Sequence, residues 1–246
     1  MAKRVRLDKH VLDLKLADSR QQAQALIRAG QVLVNDVPKD KPGCQIDPTA
    51  TVRIRGERMP YVSRGGLKLA AALDGFDVSP EGRVCADLGA STGGFTDCLL
   101  QRGASKVFAI DVGYGQLAWS LRQDDRVVVM ERTNARHLDA LPDPPSLIVG
   151  DLSFISLAKI LPAIVRIASP GAEAVLLIKP QFEAGREGIE KGGVVRDPEV
   201  RAAAIAQVRA AAEEAGATWL GTVTSPIAGA KKGNIEELVH LRLDPR

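Results

Sequence analysis

The sequence predicts an α/β chain: a small α+β unit, then a mostly parallel sheet with helices on both faces and an antiparallel closing pair. Three observations carry this prediction. From residue 83 onward, short apolar runs alternate with helical patterns, the rhythm of repeated βα units. The first 60 residues instead show two helical segments and then alternating β-branched residues around a turn. Those residues also hold 12 Lys and Arg against 7 Asp and Glu, so the basic excess of a chain with net charge +3 sits in its first quarter. An appended anion-binding module has this charge distribution, as does a lysine-rich solvated surface.

In the first unit, Ser19-Arg20-Gln21-Gln22 is a capping-box pattern opening a helix whose Ala23, Leu26 and Ile27 share a face. Gly30 stands where a C′ glycine belongs, and Arg20 and Arg28 fall off the apolar face. Val32 and Val34 form a strand leading into an Asn35-Asp36 turn, and Thr51 to Arg55 forms another with Arg53 and Arg55 pointing one way. Pro38 to Pro48 between them reads as loop. This order, with Leu7-Asp8, Ala17 to Arg20, Ala23, Ile27, Gly30 to Asn35 and Val52 to Arg55, resembles the RNA-binding domain named after ribosomal protein S-four. The resemblance implies RNA contacts through Lys3, Arg4, Arg6, Arg20, Arg28, Arg53 and Arg55, with Arg64 just beyond. Residues 1–58 are assigned to this domain, 59–62 to a linker marked by Pro60, and 63–246 to the second domain.

In the second domain, Arg83 to Asp87, Lys106 to Asp111, Arg126 to Met130, Ser146 to Gly150 and Ala174 to Lys179 read as strands. Phe95 to Arg102 and Leu117 to Arg122 read as helical, and Asp197 to Gly216 as a long helix with Pro198 in its first turn. Trp219 to Ser225 and Glu237 to Leu243 form the closing antiparallel pair.

Composition excludes several classes. With 45% apolar residues over 246 positions the chain buries a real core, so disorder is excluded. Cys44, Cys85 and Cys98 are odd in number and widely spaced, which supports neither a disulfide framework nor a zinc site. Lys3, Arg4 and Arg6 precede no apolar run, and no run reaches the length of a membrane span, so a cytoplasmic protein without a membrane partner is expected. His10, His137 and His240 are dispersed and read as structural, and no metal is expected.

The chemistry lies at the loops. Asp87-Leu88-Gly89-Ala90-Ser91-Thr92-Gly93-Gly94-Phe95 follows a strand and opens a helix, so its glycines bring backbone N–H groups close to a ligand. Ser91 replaces the second glycine of the dinucleotide fingerprint, which weakens a nicotinamide reading. With Asp87 before the loop and Asp111 ending the next strand, the pattern suits a cofactor with a cationic sulfonium amino acid at one end and a ribose at the other. Asn134 falls where an adenine-contacting loop belongs. In Leu176-Leu177-Ile178-Lys179-Pro180 an apolar run is stopped by a charge that the proline keeps out of the helical region. Lys68, Asp151 and Glu236 occupy comparable places. Two lysines and two carboxylates so placed suit removal of a proton from a poorly acidic hydroxyl, for which a lysine needs burial or a neighbouring cation. Asp151 also reads as a helix N-cap, Lys68 as the exposed start of an amphipathic helix, and Glu236 competes with adjacent Glu237.

Ser63 to Leu69, Asp87 to Phe95, Gly150 to Ser156, Ile178 to Glu183 and Gly233 to Glu236 resemble, in order, the signature blocks of the TlyA family. These are rRNA 2′-O-methyltransferases with an FtsJ-type Rossmann-like class I methyltransferase domain, historically also labelled haemolysin A. The resemblance implies a Lys68-Asp151-Lys179-Glu236 tetrad with Lys179 as base. It also implies S-adenosylmethionine bound by Asp87, Gly89, Ser91, Gly93, Gly94, Phe95, Asp111 and Asn134, and ribosomal RNA or a ribosomal subunit as partner, modified at a cytidine. No stable protein partner is implied. A catalytically silent RNA-binding protein and a haemolysin are the alternatives. Ser91-Thr92 departs from the Pro-Gly-Gly turn often seen in the FtsJ group, which puts the loop's detail in question.

Overall fold

The computed structural model describes residues 4–55, 59–185, 189–190, 192–229 and 234–244. It divides into two compact units, Met1–Met59 and Pro60–Arg246. Lys3 and Arg58 lie outside the described residues.

In the first unit, α1 (Leu7–Asp13) and α2 (Arg20–Arg28) pack Leu7, Val11, Ala23 and Ile27 against Val32, Val34 and Ile46. Ser19 caps α2 by accepting the Gln22 N–H at 3.2 Å, and Gly30 follows with φ of +68°. A three-stranded sheet is ordered β3 (Val37–Lys39), β2 (Val32–Val34), β5 (Val52–Ile54). The β2–β3 turn has Asn35 and Asp36 both left-handed, at φ of 48° and 63°, the conformation a tight two-residue hairpin requires. The expected 38–48 loop is corrected here. It contains most of β3 and all of β4 (Gln45–Ile46), which pairs antiparallel with β1 (Val5–Arg6). Pro38 is tolerated because β3 is an edge strand, where a missing N–H costs little.

Asp8 is buried and accepts hydrogen bonds from Arg6 and Arg20, both as ion pairs at 3.0 Å, and from Gln24. The Arg6 hydrogen bonds hold its carboxyl well below the usual carboxylate range. The two guanidinium groups remain about half exposed, so the acid fixes their orientation at the surface.

The second unit is built on a seven-stranded sheet. Its order is β11 (Ala217–Thr224), β12 (Glu237–Leu243), β10 (Ala172–Ile178), β9 (Leu147–Gly150), β6 (Val84–Leu88), β7 (Lys106–Ile110), β8 (Val127–Met130). β12 runs antiparallel to both of its neighbours, and the β10-β9-β6-β7-β8 ladder is parallel. Alternate strand residues face opposite cores, as the strand period demands. Leu88, Ile110, Ile148 and Leu176 pack with α6 (Leu161–Ile167) and α8 (Pro198–Glu214). Cys85, Val107, Val149 and Leu177 pack with α3 (Gly65–Phe76) and α4 (Gly94–Gln101). All three cysteines are unpaired, and His240 pairs with Glu173 at 2.8 Å. Among the described residues no helix is long and apolar enough to cross a membrane.

The first strand of the sheet, β6, sits between β7 and β9, so chain crossovers leave it in opposite directions. A crevice opens beyond the carboxyl ends of strands at such a switch point.

Candidate functional site

The four charged residues singled out in the sequence converge at that crevice. Lys179 follows the last residue of β10, Asp151 follows β9, and Lys68 lies in the first turns of α3. Glu236 immediately precedes β12. Lys68 Nζ lies 2.6 Å from Glu236 Oε2 and 3.7 Å from Asp151 Oδ2. Lys179 Nζ lies 2.5 Å from Asp151 Oδ1 as an ion pair, while its hydrogen bond goes to Ser153 Oγ at 2.7 Å. Both lysines are only 9% exposed and Glu236 only 2%. Gly229 leaves room for this arrangement, since a Cβ there would stand 2.5 Å from Glu236 Oε1. Asp151 caps no helix. The chain after it is irregular until a 3-10 turn at Leu157–Lys159, whose cap is Ser156.

Beside the tetrad a cleft runs over the glycine-rich loop in two lobes of about 460 and 500 Å³ that share Gly89, Ser91, Asp151 and Ser153. Arg64, Lys68, Gly94, Phe95 and Lys179 line the first lobe. Ile110, Asp111, Val112, Asn134 and Ile160 line the second. Ser91 takes a left-handed φ of 48°, so its N–H reaches Asp111 Oδ2 at 2.8 Å. The other Asp111 oxygen accepts from Gly113 N–H at 2.6 Å. Asp111 therefore shapes the loop at Ser91, and each of its oxygens retains a lone pair.

Two of the expected ligand contacts lie beneath the cleft instead of lining it. Gly93 caps α4 at φ of +98°, and a methyl group there would collide with Leu121 of α5 (Trp119–Arg122). Asp87 is fully buried, and one oxygen accepts both the Thr96 N–H at 2.9 Å and the Thr96 hydroxyl at 2.7 Å. Its other oxygen has no partner among the described residues. Asp87 thus braces the first turn of α4 under the loop. Burial pushes its carboxyl up to about 7 against the opposing pull of the Thr96 bonds. A carboxyl raised on folding stabilises the protein below its unfolded pKa, and that contribution is lost as pH rises through about 7. Melting curves at pH 5 and pH 8 should therefore show Asp87→Asn losing less stability across the interval than the parent, by ~2–4 kcal/mol. Parallel pH profiles in the two proteins would contradict this.

Sequence reasoning missed Glu183 and Ser153. Glu183 closes α7 (Pro180–Glu183), the turn that follows Lys179, and is 6% exposed. It accepts from Ser156 Oγ at 2.6 Å and Leu157 N–H at 2.9 Å, tying the Asp151-to-Leu157 loop to the lysine's own turn. Desolvation raises its carboxyl pKa. In that loop Phe154 has a left-handed φ of 65° and is 92% exposed. A non-glycine residue there costs ~1–3 kcal/mol, so the clamp matters to the loop's shape. Glu183→Ala should lower turnover on the order of 10–10²-fold by letting Asp151 and Ser153 drift. Glu183→Gln, which keeps an acceptor for the Leu157 N–H, should recover most of it. Equal losses in both variants would rule out the clamp.

Among the proposed RNA contacts, Arg53 pairs with Asp36 at 2.6 Å, and Arg6 and Arg20 with Asp8. Arg4, Arg28, Arg55 and Arg64 are exposed, Arg64 at the rim of the first lobe. No cluster able to hold a metal ion occurs among the described residues.

Residues 61–243 match the FtsJ-like methyltransferase family, and residues 5–52 match the S4 domain. The chain is 50% identical to the "16S/23S rRNA (cytidine-2'-O)-methyltransferase TlyA" of Mycobacterium tuberculosis, over 98% of this chain and 91% of that protein. It is 43% identical to "Hemolysin A" of Brachyspira hyodysenteriae, over 96% of this chain and 99% of that protein. Among solved structures, a putative hemolysin from Streptococcus thermophilus superposes with a TM-score of 0.77 at 44% identity, covering 99% of this chain and 90% of that one.

Proposed function

The chain belongs to the FtsJ-like methyltransferase family, in the TlyA group that joins this domain to an S4 domain, and on that premise we propose that it methylates a ribose 2′-oxygen of a cytidine in ribosomal RNA, with S-adenosylmethionine as donor. The observation that carries the proposal is the convergence of Lys179 and Lys68, which line the first lobe of the cleft, on Asp151, which lines both.

The residues present fit the cofactor. The spare lone pairs of Asp111 suit ribose hydroxyls, and Ile110, Val112, Ile160 and the Asn134 amide suit a purine. Gly89, Ser91, Gly94 and Phe95, which line the first lobe, would hold the amino-acid end. When bound, S-adenosylmethionine supplies a methyl group made electrophilic by its sulfonium. Lys179 in its amine form would take the 2′-hydroxyl proton at Nζ, leaving the oxygen free to act as the nucleophile. Asp151, 2.5 Å away, then stabilises the ammonium. Lys68 is held by Glu236 and supports Asp151 from the other side. General-base assistance is worth about 10²–10⁴ in rate, and alignment of the reacting atoms roughly 7–11 kcal/mol.

The exposed arginines of the first unit supply salt-sensitive attraction to RNA phosphates. A ribosomal substrate places the reaction in the cytoplasm. The test is incubation with tritiated S-adenosylmethionine and separated 50S and 30S subunits, then mapping of the label. Label on a cytidine 2′-oxygen is the expected result. Binding of the cofactor with no label on either subunit or on free rRNA would overturn the proposal.

A further inference from the structure

A third cavity, about 910 Å³, shares Phe154 and Ile155 with the cofactor cleft but is lined by a different chemistry. Aspartates line both lobes of the cleft, whereas the charged lining residues here are the cations Arg136 and Lys159. Both are exposed, and neither forms an ion pair with a described residue. In the same lining the rings of Phe154 and Phe182 lie 5.4 Å apart at 48°. Gln181 also lines the cavity, and its side-chain amide oxygen is buried without a hydrogen-bond partner among the described residues. An unpaired amide oxygen costs ~1–3 kcal/mol until a donor reaches it.

Exposed lysines and arginines are ordinary, and so is one exposed ring. Two unpaired cations, an aromatic pair and an unsatisfied amide around one groove form the set that grips a single-stranded nucleotide: charge for its phosphate, a ring for its base, an amide for the base edge. We propose that this groove is a second nucleotide subsite, taking the base and phosphate of the residue adjoining the methylated one. The proposal rests on the RNA-methyltransferase reading and adds a determinant of RNA sequence to it. Gln181 would read an exocyclic amine by turning its buried amide oxygen into the groove, and Arg136 and Lys159 hold the phosphate.

The test uses the full chain and a fluorescent single-stranded oligoribonucleotide, with affinity followed against salt. The Arg136→Ala/Lys159→Ala variant should bind at least about 10-fold more weakly at low salt, and its log–log salt slope should fall by about 0.7 for one lost phosphate contact. Gln181→Ala should keep the salt slope and lose discrimination between amine-bearing and amine-lacking bases. Cofactor affinity by calorimetry should match the parent in both, which reports folding. Parental affinity and slope in the double variant would overturn the subsite. So would normal oligoribonucleotide binding combined with weakened action on whole subunits, because the groove would then grip ribosomal protein. Failure of the parent enzyme to label any rRNA would sink the methyltransferase reading instead, and the oligoribonucleotide result would still judge the groove.

Discussion

Replacing Lys179 with alanine should lower methyl transfer by at least about 10²-fold while affinity for S-adenosylmethionine stays within a few-fold. The two effects separate because of where the side chain sits. Lys179 lines the lobe that also holds Lys68, whereas Asp111 and Asn134, the proposed ribose and adenine contacts, line the other. Its ammonium is held by the Ser153 hydroxyl and the Asp151 carboxylate, so truncation removes the group that meets Asp151 in the first lobe and leaves the walls of the second in place. Folding should suffer little, because Asp151 is 24% exposed and keeps water and Lys68 as partners. Lys179→Arg decides the mechanism. Arginine keeps the cation and its donors but does not give up its proton, so it restores activity only if charge alone is needed. Single-turnover rates with tritiated cofactor measure both variants. Near-normal turnover in the alanine variant would remove Lys179 from the chemistry, and full rescue by arginine would remove it as the base.

Much of the candidate site is legible in the sequence alone. Its parts sit where the sequence must punctuate. A lysine that ends the apolar run of β10 and is followed by Pro180 has to leave the strand at the sheet's carboxyl edge. Glycines after β6 mark a loop bent too tightly for side chains, and Gly93 at φ of +98° bears this out. The Ser19 cap and the Asn35-Asp36 turn are likewise local chemistry, written in the residues that form them. β1 and β4 escaped notice because strands of two residues are too short to show a period. β3 escaped because a proline argues against a strand unless the edge position is known.

The residues that lie under the cleft, and Glu183 beside it, share a different cause. Asp87 and Asp111 both stand at strand ends beside the loop, yet Asp87 turns under it to hold Thr96 while Asp111 reaches over to Ser91. The alternation of faces along β6 places Asp87 on the α4 side, and only packing shows that α4 then covers it completely. Glu183 reads as one more acid in a polar turn. Its role depends on Ser156 and Leu157, which the fold brings from another loop. Such long-range partners leave no spacing to count.

The largest effect on folding should come from Glu236→Ala, about 3–5 kcal/mol, the cost of leaving a buried charge without its partner. Lys68 has little water, and its ammonium lies 2.6 Å from Glu236 and 3.7 Å from Asp151. Asp151 replaces Glu236 only in part, because it stands 3.7 Å from Lys68 and its carboxylate is already shared with Lys179 at 2.5 Å. In a chain of this size the loss corresponds to a fall in melting temperature of about 10 °C. The same reasoning makes Lys68→Met alone costly, since it strands the Glu236 carboxylate at 2% exposure. Removing both charges with apolar residues of similar volume, Lys68→Met with Glu236→Leu, should melt near the parent temperature and show no methyl transfer. The pair is then kept for the reaction it supports and not for the stability of the fold. If Glu236→Ala melts like the parent, water reaches Lys68 and the coupling is weak. If the double variant melts as low as the single ones, the site is held by shape and not by charge.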